Sequence, residues 1–93
     1  MEGVRDNRAR RRYELDVDGG VAFIDYDRNG SVVTMLHAEV PPALQRRGIG
    51  SELVRGALEL VREQRETIIP RCPFVVSYVR KHSDVQDLLA KPR

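Results

Sequence analysis

Residues 39–54 read EVPPALQRRGIGSELV, and this stretch decides the fold. Pro41 and Pro42 stop whatever strand precedes them, because proline has no N–H to give a ladder. Gly48 and Gly50 then stand just ahead of an amphipathic run. Leu53, Val54, Ala57, Leu58 and Val61 fall at i, i+1, i+4, i+5 and i+8, one face of a helix over about residues 50–65. Glu52, Arg55, Glu59, Arg62 and Glu63 take most of the other face, with Arg55 and Glu59 at i,i+4. Glycines at such a position let main-chain N–H groups from Arg47 to Ser51 approach a ligand closely. The helix adds about half a positive charge at its N-terminus, so the ligand the stretch suits is an anion such as a pyrophosphate. Arg46 and Arg47 stand ready to add charged contacts. The competing reading is that the glycines only make a tight strand-to-helix turn.

Working outward toward the N-terminus, RYELDV (12–17), VAFIDY (21–26) and SVVTMLHAEV (31–40) read as three strands. Asp18–Gly20 and Arg28–Ser31 lie between them as turns, and Asn29–Gly30 is placed to supply two positive φ angles. The expected unit is an antiparallel meander. Its third strand is apolar on both faces at its start, so both faces are expected to be covered. By strict alternation, His37 and Glu39 continue the Val33–Met35 face. Residues 1–10 are charged and aperiodic and are expected to be a flexible tail ahead of a domain over 11–91.

Toward the C-terminus, TIIP (67–70) reads as a short buried strand. Strand, helix, strand in this order implies a parallel neighbour reached by a crossover. CPFVVSYVRKH (72–82) reads as a second helix, with Pro73 at its first position and Val75, Tyr78 and Val79 on one face. Ser83–Gln86 has the S-x-x-Q form of a capping box, which would open a last short helix to about Ala90. The fold class is therefore α/β, with a three-strand meander, one parallel strand and two to three helices.

Composition narrows the function. The 93 residues form one domain, 41% hydrophobic and 32% charged, as in ordinary soluble chains. A net charge of +2 is too small to point to nucleic acid by itself, although the Arg8–Arg12 run suggests an accessory role there as a remote alternative. No apolar run approaches the ~18 residues that span a bilayer, and no signal-peptide core opens the chain. A single cysteine makes no internal disulfide and no zinc cage, so no metal is expected. The expected location is cytoplasmic.

Tested against known loops, QRRGIGS (45–51) lacks the Lys-Ser/Thr of a Walker loop, and Leu53 stands where a dinucleotide fingerprint needs its last glycine. It does resemble the Q/R-x-x-G-x-G/A coenzyme A loop of the GNAT superfamily of N-acetyltransferases. With Val40, Pro42 and the later PRCPFV (70–75), the likeness extends over roughly residues 12–90 and resembles the small YjdJ-like subfamily. The resemblance implies a minimal GNAT fold, acetyl-CoA as cofactor, and an amine as acceptor, either a small molecule or a protein. It assigns coenzyme binding to Glu39, Val40, Gln45, Arg46, Arg47, Gly48, Ile49, Gly50 and Ser51. It implies that the strand ending at Val40 and the strand 67–70 splay to admit the pantetheine arm. It also marks Tyr78 as an acid toward the leaving thiolate.

The remaining chemistry falls to a few reactive side chains. Cys72, beside a helix start that favours a thiolate, is a candidate acyl carrier, against the reading of a packed core thiol. His37 and Glu39 are candidate bases, against a polar sheet edge and an ion pair from Glu39 to Arg71. Thr34 occupies the position where larger family members carry a glutamate. Nothing in these residues matches the flanking helices or hairpin of larger members, so the implied acceptor site is open and shallow. The alternative function is a coenzyme A or acyl-CoA binding module without turnover.

Overall fold

The computed structural model describes residues 3–45 and 47–91. Five strands form one sheet in the order β1-β2-β3-β4-β5: β1 Arg5–Asn7, β2 Arg12–Val17, β3 Gly20–Asn29, β4 Val32–Glu39 and β5 Thr67–Pro70. The first four pair antiparallel and β4 pairs parallel with β5. Helix α1, Ile49–Glu63, makes the crossover, and α2, Pro73–Lys81, follows β5. The α/β class, the meander and the parallel addition are as expected.

The meander turns differ in one register step. Asn29 pairs with Val32, so the two-residue loop is Gly30–Ser31. Only Gly30 has positive φ (60°), where the sequence suggested both Asn29 and Gly30. Asn29 is the last residue of the strand instead. A glycine with positive φ at the first loop position suits the twist of a hairpin, so the shifted turn is still a good one.

Residues 5–7 are not a tail. They form an edge strand on β2, with Arg5 opposite Glu14 and Asn7 opposite Arg12. Alternating apolar residues do not hold it. Arg5 pairs with Glu14 (2.8 Å) and Asp16 (2.7 Å). Val4 lies against α1 at Gly56, where any Cβ would come within 2.4 Å of the Val4 side chain. Of the basic run, Arg8, Arg10 and Arg11 are exposed, while Arg12 pairs with Glu14 and covers the Phe23 ring at 4.5 Å.

One face of the sheet carries the core. Tyr13, Leu15, Ala22, Ile24, Val33, Met35 and Ile68 meet Leu53, Val54, Ala57, Leu58 and Val61 of α1, the five residues that its period required. Val75, Tyr78 and Val79 of α2 join the same core. At one end of this core Arg28 grips Glu66 through two nitrogens (2.8 and 3.1 Å) and reaches Asp6 (3.0 Å) and the Tyr26 hydroxyl (2.8 Å). The expectation that both faces of β4 are covered fails. Leu36 and Ile69 are exposed, and Val32 and Thr34 are only half-buried.

A bulge in β4 corrects the alternation. Tyr26 pairs with Met35 but Asp25 pairs with His37, so Leu36 is surplus. An extra residue bends the strand and changes which side chains point inward. Ala38 and Val40 therefore rejoin the core side after Met35, opposite Ile24 in the case of Ala38, and His37 and Glu39 turn to the open face.

The final segment is a 3-10 helix, Ser83–Leu88, without a capping box. His82, not Ser83, is its N-cap, and no side chain caps it. Gln86 instead donates to the Val79 carbonyl at 3.3 Å. Beyond it Leu89 bridges to Ile68, and the Ala90 N–H bonds the Ile68 carbonyl at 2.8 Å.

Candidate functional site

β5 stays with β4 only as far as Met35, which faces Pro70. There the Met35 carbonyl accepts both the Arg71 N–H (2.9 Å) and the Cys72 N–H (3.1 Å), which turns the chain into α2. From Leu36 onward β4 has no strand on that side among the described residues. A cavity of about 490 Å³ lies in this region, lined by Ala38 and Val40 of β4, Gln45 and Gly48 of the loop, Gly50, Ser51 and Leu53 of α1, and Phe74 of α2.

The amino end of α1 opens into it. The first helical bond runs from the Glu52 N–H to the Gly48 carbonyl at 3.1 Å. The Ile49, Gly50 and Ser51 amides precede it and are the orphan donors of any helix start. No side chain caps them, since the N-cap is Gly48. The two glycines have different uses. Gly48 has φ 75°, which strains any residue with a Cβ, and the space around it is open. Gly50 is inside the helix, and a Cβ there would sit 2.7 Å from Cζ of Phe74. Its bareness therefore admits the protein's own ring. Gln45 Nε2 donates to the Val40 carbonyl at 3.1 Å and so ties the loop to the end of β4.

Of the residues that the resemblance gave to the coenzyme, Val40, Gln45, Gly48, Gly50 and Ser51 line one cavity. Arg47 and Ile49 line a different hollow with Leu15, Asp18 and Glu52, and Glu39 is on the open face. Arg46 falls outside the described residues. Ala38, Leu53 and Phe74 complete the lining and were not foreseen. Ala38 was hidden by the bulge, whereas Phe74, directly after the helix-starting Pro73, had a signal that could have been used.

His37 and Glu39 are 60% and 61% exposed, and their side chains meet at 3.3 Å (Nε2 to Oε2). Asp25 lies opposite His37, and the Phe23 ring is 6.5 Å from the imidazole, edge to face. Glu39 does not pair with Arg71 as anticipated; its partner is His37. Cys72 is the N-cap of α2, is 5% exposed within the core, and does not line the cavity. Tyr78 is buried and stacks on His82 with centroids 3.9 Å apart. Burial, then the charge of Asp84, raises its phenol above the ordinary value, so the ring keeps its proton. It lines a small hollow of about 70 Å³ with Ser51, Phe74, Ser77, Lys81 and His82. Ser51 and Phe74 are common to this hollow and the main cavity. No cluster of metal-ligating side chains occurs among the described residues, and no helix there is long and apolar enough to cross a membrane.

Comparison with known proteins agrees with this geometry. A profile of the GCN5-related N-acetyl-transferase family matches residues 12–88. Protein NATD1 of Mus musculus is 30% identical over 82 residues, which is 85% of this chain and 74% of that protein. Protein NATD1 of Homo sapiens is likewise 30% identical over 82 residues, with 73% of its length covered. The solution structure of a GCN5-like protein from Staphylococcus aureus superposes over 100% of this chain and 94% of its own, with TM-score 0.71 at 22% identity, which supports the fold. The α/β sheet with its split between β4 and β5, and a family match that runs from β2 to the last 3-10 helix, give one conclusion: the chain belongs to the GCN5-related N-acetyltransferase family.

Proposed function

We propose that the protein transfers an acetyl group from acetyl-CoA to an amine. The observation that carries this reading is the start of α1: uncapped amides at the mouth of a cavity whose far wall is the unpaired part of β4. Such a helix end suits a pyrophosphate, and a volume of about 490 Å³ is in the range of small-molecule sites. Acetyl-CoA, when bound, supplies the acetyl group as a thioester. The Ile49, Gly50 and Ser51 amides would hold its diphosphate, and the free edge of β4 around Ala38 and Val40 its amide-bearing arm. Leu53 and Phe74 are apolar walls that exclude water there.

The acceptor amine has the open face of the sheet for its approach, because among the described residues no helix covers that side of β4. His37 projects there, next in sequence to the cavity residue Ala38. With its Nε2 donating to Glu39, its Nδ1 is the nitrogen left to take the proton of the amine. Tyr78, kept protonated by burial, is the donor candidate on the other side. Cys72 is buried among core side chains, so direct transfer is favoured over a cysteine relay.

A binding module without turnover is the second reading. It is favoured by one observation: none of His37, Glu39, Cys72 and Tyr78 lines the main cavity. Calorimetric titration with coenzyme A tests the shared premise. Saturable binding is expected, weakened about tenfold or more by Gly48→Val, which strains the loop; no binding to the wild-type protein ends the coenzyme reading. Thiol release from acetyl-CoA with a panel of primary amines separates the two functions. A transferase shows release that His37→Gln lowers about a hundredfold in kcat, and a binding module shows none.

A further inference from the structure

We infer that α2 carries a separate seat for the 3′-phosphate of coenzyme A, formed by Lys81 with Arg80. This rests on the coenzyme reading above and adds to it a subsite beyond the loop and β4. Three hollows adjoin through common residues. The main cavity shares Ser51 and Phe74 with the small hollow. The small hollow shares Ser77 and Lys81 with a groove of about 530 Å³ along the outer side of α2. That groove is lined by Arg71, Pro73, Val76, Ser77, Arg80 and Lys81, so it has three cations and no carboxylate.

Ion pairing separates these cations from several other arginines. Arg5, Arg12, Arg28 and Arg62 each meet a carboxylate. Among the described residues, Arg71, Arg80 and Lys81 meet none within ion-pair distance. The dipole of α2 accounts for cations in its last turn, where Arg80 and Lys81 stand, but it disfavours Arg71 at the opposite end. Helix stability alone therefore does not account for the charge of the groove, since Arg71 stands at the wrong end for it. Through Lys81 the groove adjoins the small hollow lined by Ser51, a residue whose amide the coenzyme reading gives to the diphosphate.

Coenzyme A has the matching charge. Its ribose bears a phosphate monoester next to the carbon chain that leads to the diphosphate, and such a group is close to doubly charged at neutral pH. A nucleotide that leaves the α1 amides past the exposed ring of Phe74 meets Lys81 first and Arg80 next. The lysine, as a mobile point charge on a long stem, suits an oxyanion whose orientation is not fixed. The ring of Phe74, 44% exposed, gives the adenine an apolar surface on the way.

The test compares coenzyme A with dephospho-coenzyme A, which lacks only that phosphate, by calorimetry on the full chain. The wild-type protein is expected to prefer coenzyme A by about tenfold, the worth of one charged contact. Lys81→Gln is expected to erase the preference while leaving the affinity for dephospho-coenzyme A unchanged, and Lys81→Arg to keep it. Equal binding of both compounds by the wild type, or a preference that survives in both Lys81→Gln and Arg80→Gln, overturns the subsite and leaves the coenzyme reading intact. Failure of either compound to bind removes that reading and the subsite together.

Discussion

At the scale of single residues, Gly48 and Gly50 look interchangeable in a motif but meet different physical limits. Gly48 is needed for its backbone angle, Gly50 for the clearance of a ring. Substitution separates these roles. Gly50→Ala places a methyl group 2.7 Å from Phe74 Cζ, but the clashing ring is exposed and can turn aside, so the expected cost is small, about 1 kcal/mol or less. Because Phe74 is exposed and the clashing atoms are the far end of its side chain, Gly50→Ala combined with Phe74→Ala is expected to recover most of that loss. Urea denaturation of the four proteins of this cycle measures the coupling; additive losses would show that the ring does not limit the glycine. Gly48→Ala, with open space around it, has no such partner to relieve it.

At the scale of elements, α1 ends on a non-glycine residue in a glycine's conformation. Arg65 has φ 58°. Its N–H bonds the Arg62 carbonyl and the Glu66 N–H bonds the Val61 carbonyl, both at 3.0 Å, the paired pattern of a Schellman ending. The left-handed region costs a residue with a Cβ about 1 kcal/mol or more. Arg65→Gly is therefore expected to raise Tm by roughly 4–8 °C for each 1 kcal/mol relieved, read by calorimetric scanning. A lower Tm would mean that the arginine side chain contributes more than its backbone costs.

The elements also show how far local sequence reaches. The α1 face, the limits of β2 and β5 and Pro73 at the start of α2 were legible because period and proline act within a few residues. The first strand was not, because three charged residues have no apolar period and depend on Glu14 and Asp16 for partners. The bulge was not, because a surplus residue is defined only against the facing strand. The capping box failed for a similar reason: His82 holds the cap position and Gln86 is drawn to Val79. In the candidate site the loop glycines, Gln45 and Val40 stood within the motif, Phe74 was marked only by its place after Pro73, and Ala38 needed the third dimension.

At the scale of the whole molecule, stability depends on acids that the fold holds ionised. Burial opposes the charge on Glu14 most strongly. Hydrogen bonds from Arg12 and Asn7, with the charges of Arg12 and Arg5, outweigh it and lower its carboxyl below the ordinary 4.5. Asp87 is lowered in the same way, first by its bond from Arg62. A carboxyl lowered by folding stabilises the protein above its unfolded value, and this contribution is lost as pH falls through the folded one. Tm is therefore expected to be flat from neutral pH to about 5 and to drop below about 4.5. Glu14→Gln is expected to start lower at neutral pH and to fall less on acidification; parallel curves for the two proteins would remove Glu14 from the account.

Leu36 gives β4 a change of parity. Ahead of it odd-numbered residues are dry and even-numbered ones wetter, and behind it the assignment is reversed. Deleting that one exposed leucine would leave Met35 on Tyr26 and His37 on Asp25, so plain counting by twos would keep the imidazole outside and Ala38 and Val40 inside. The opposite change is the harmful one: were Leu36 itself to pair with Asp25 in plain register, the imidazole and carboxylate would be driven in toward the apolar interior and the small residues beside the cavity turned out into water. The sidedness of the strand end thus depends on one residue staying out of the ladder, where almost nothing is packed.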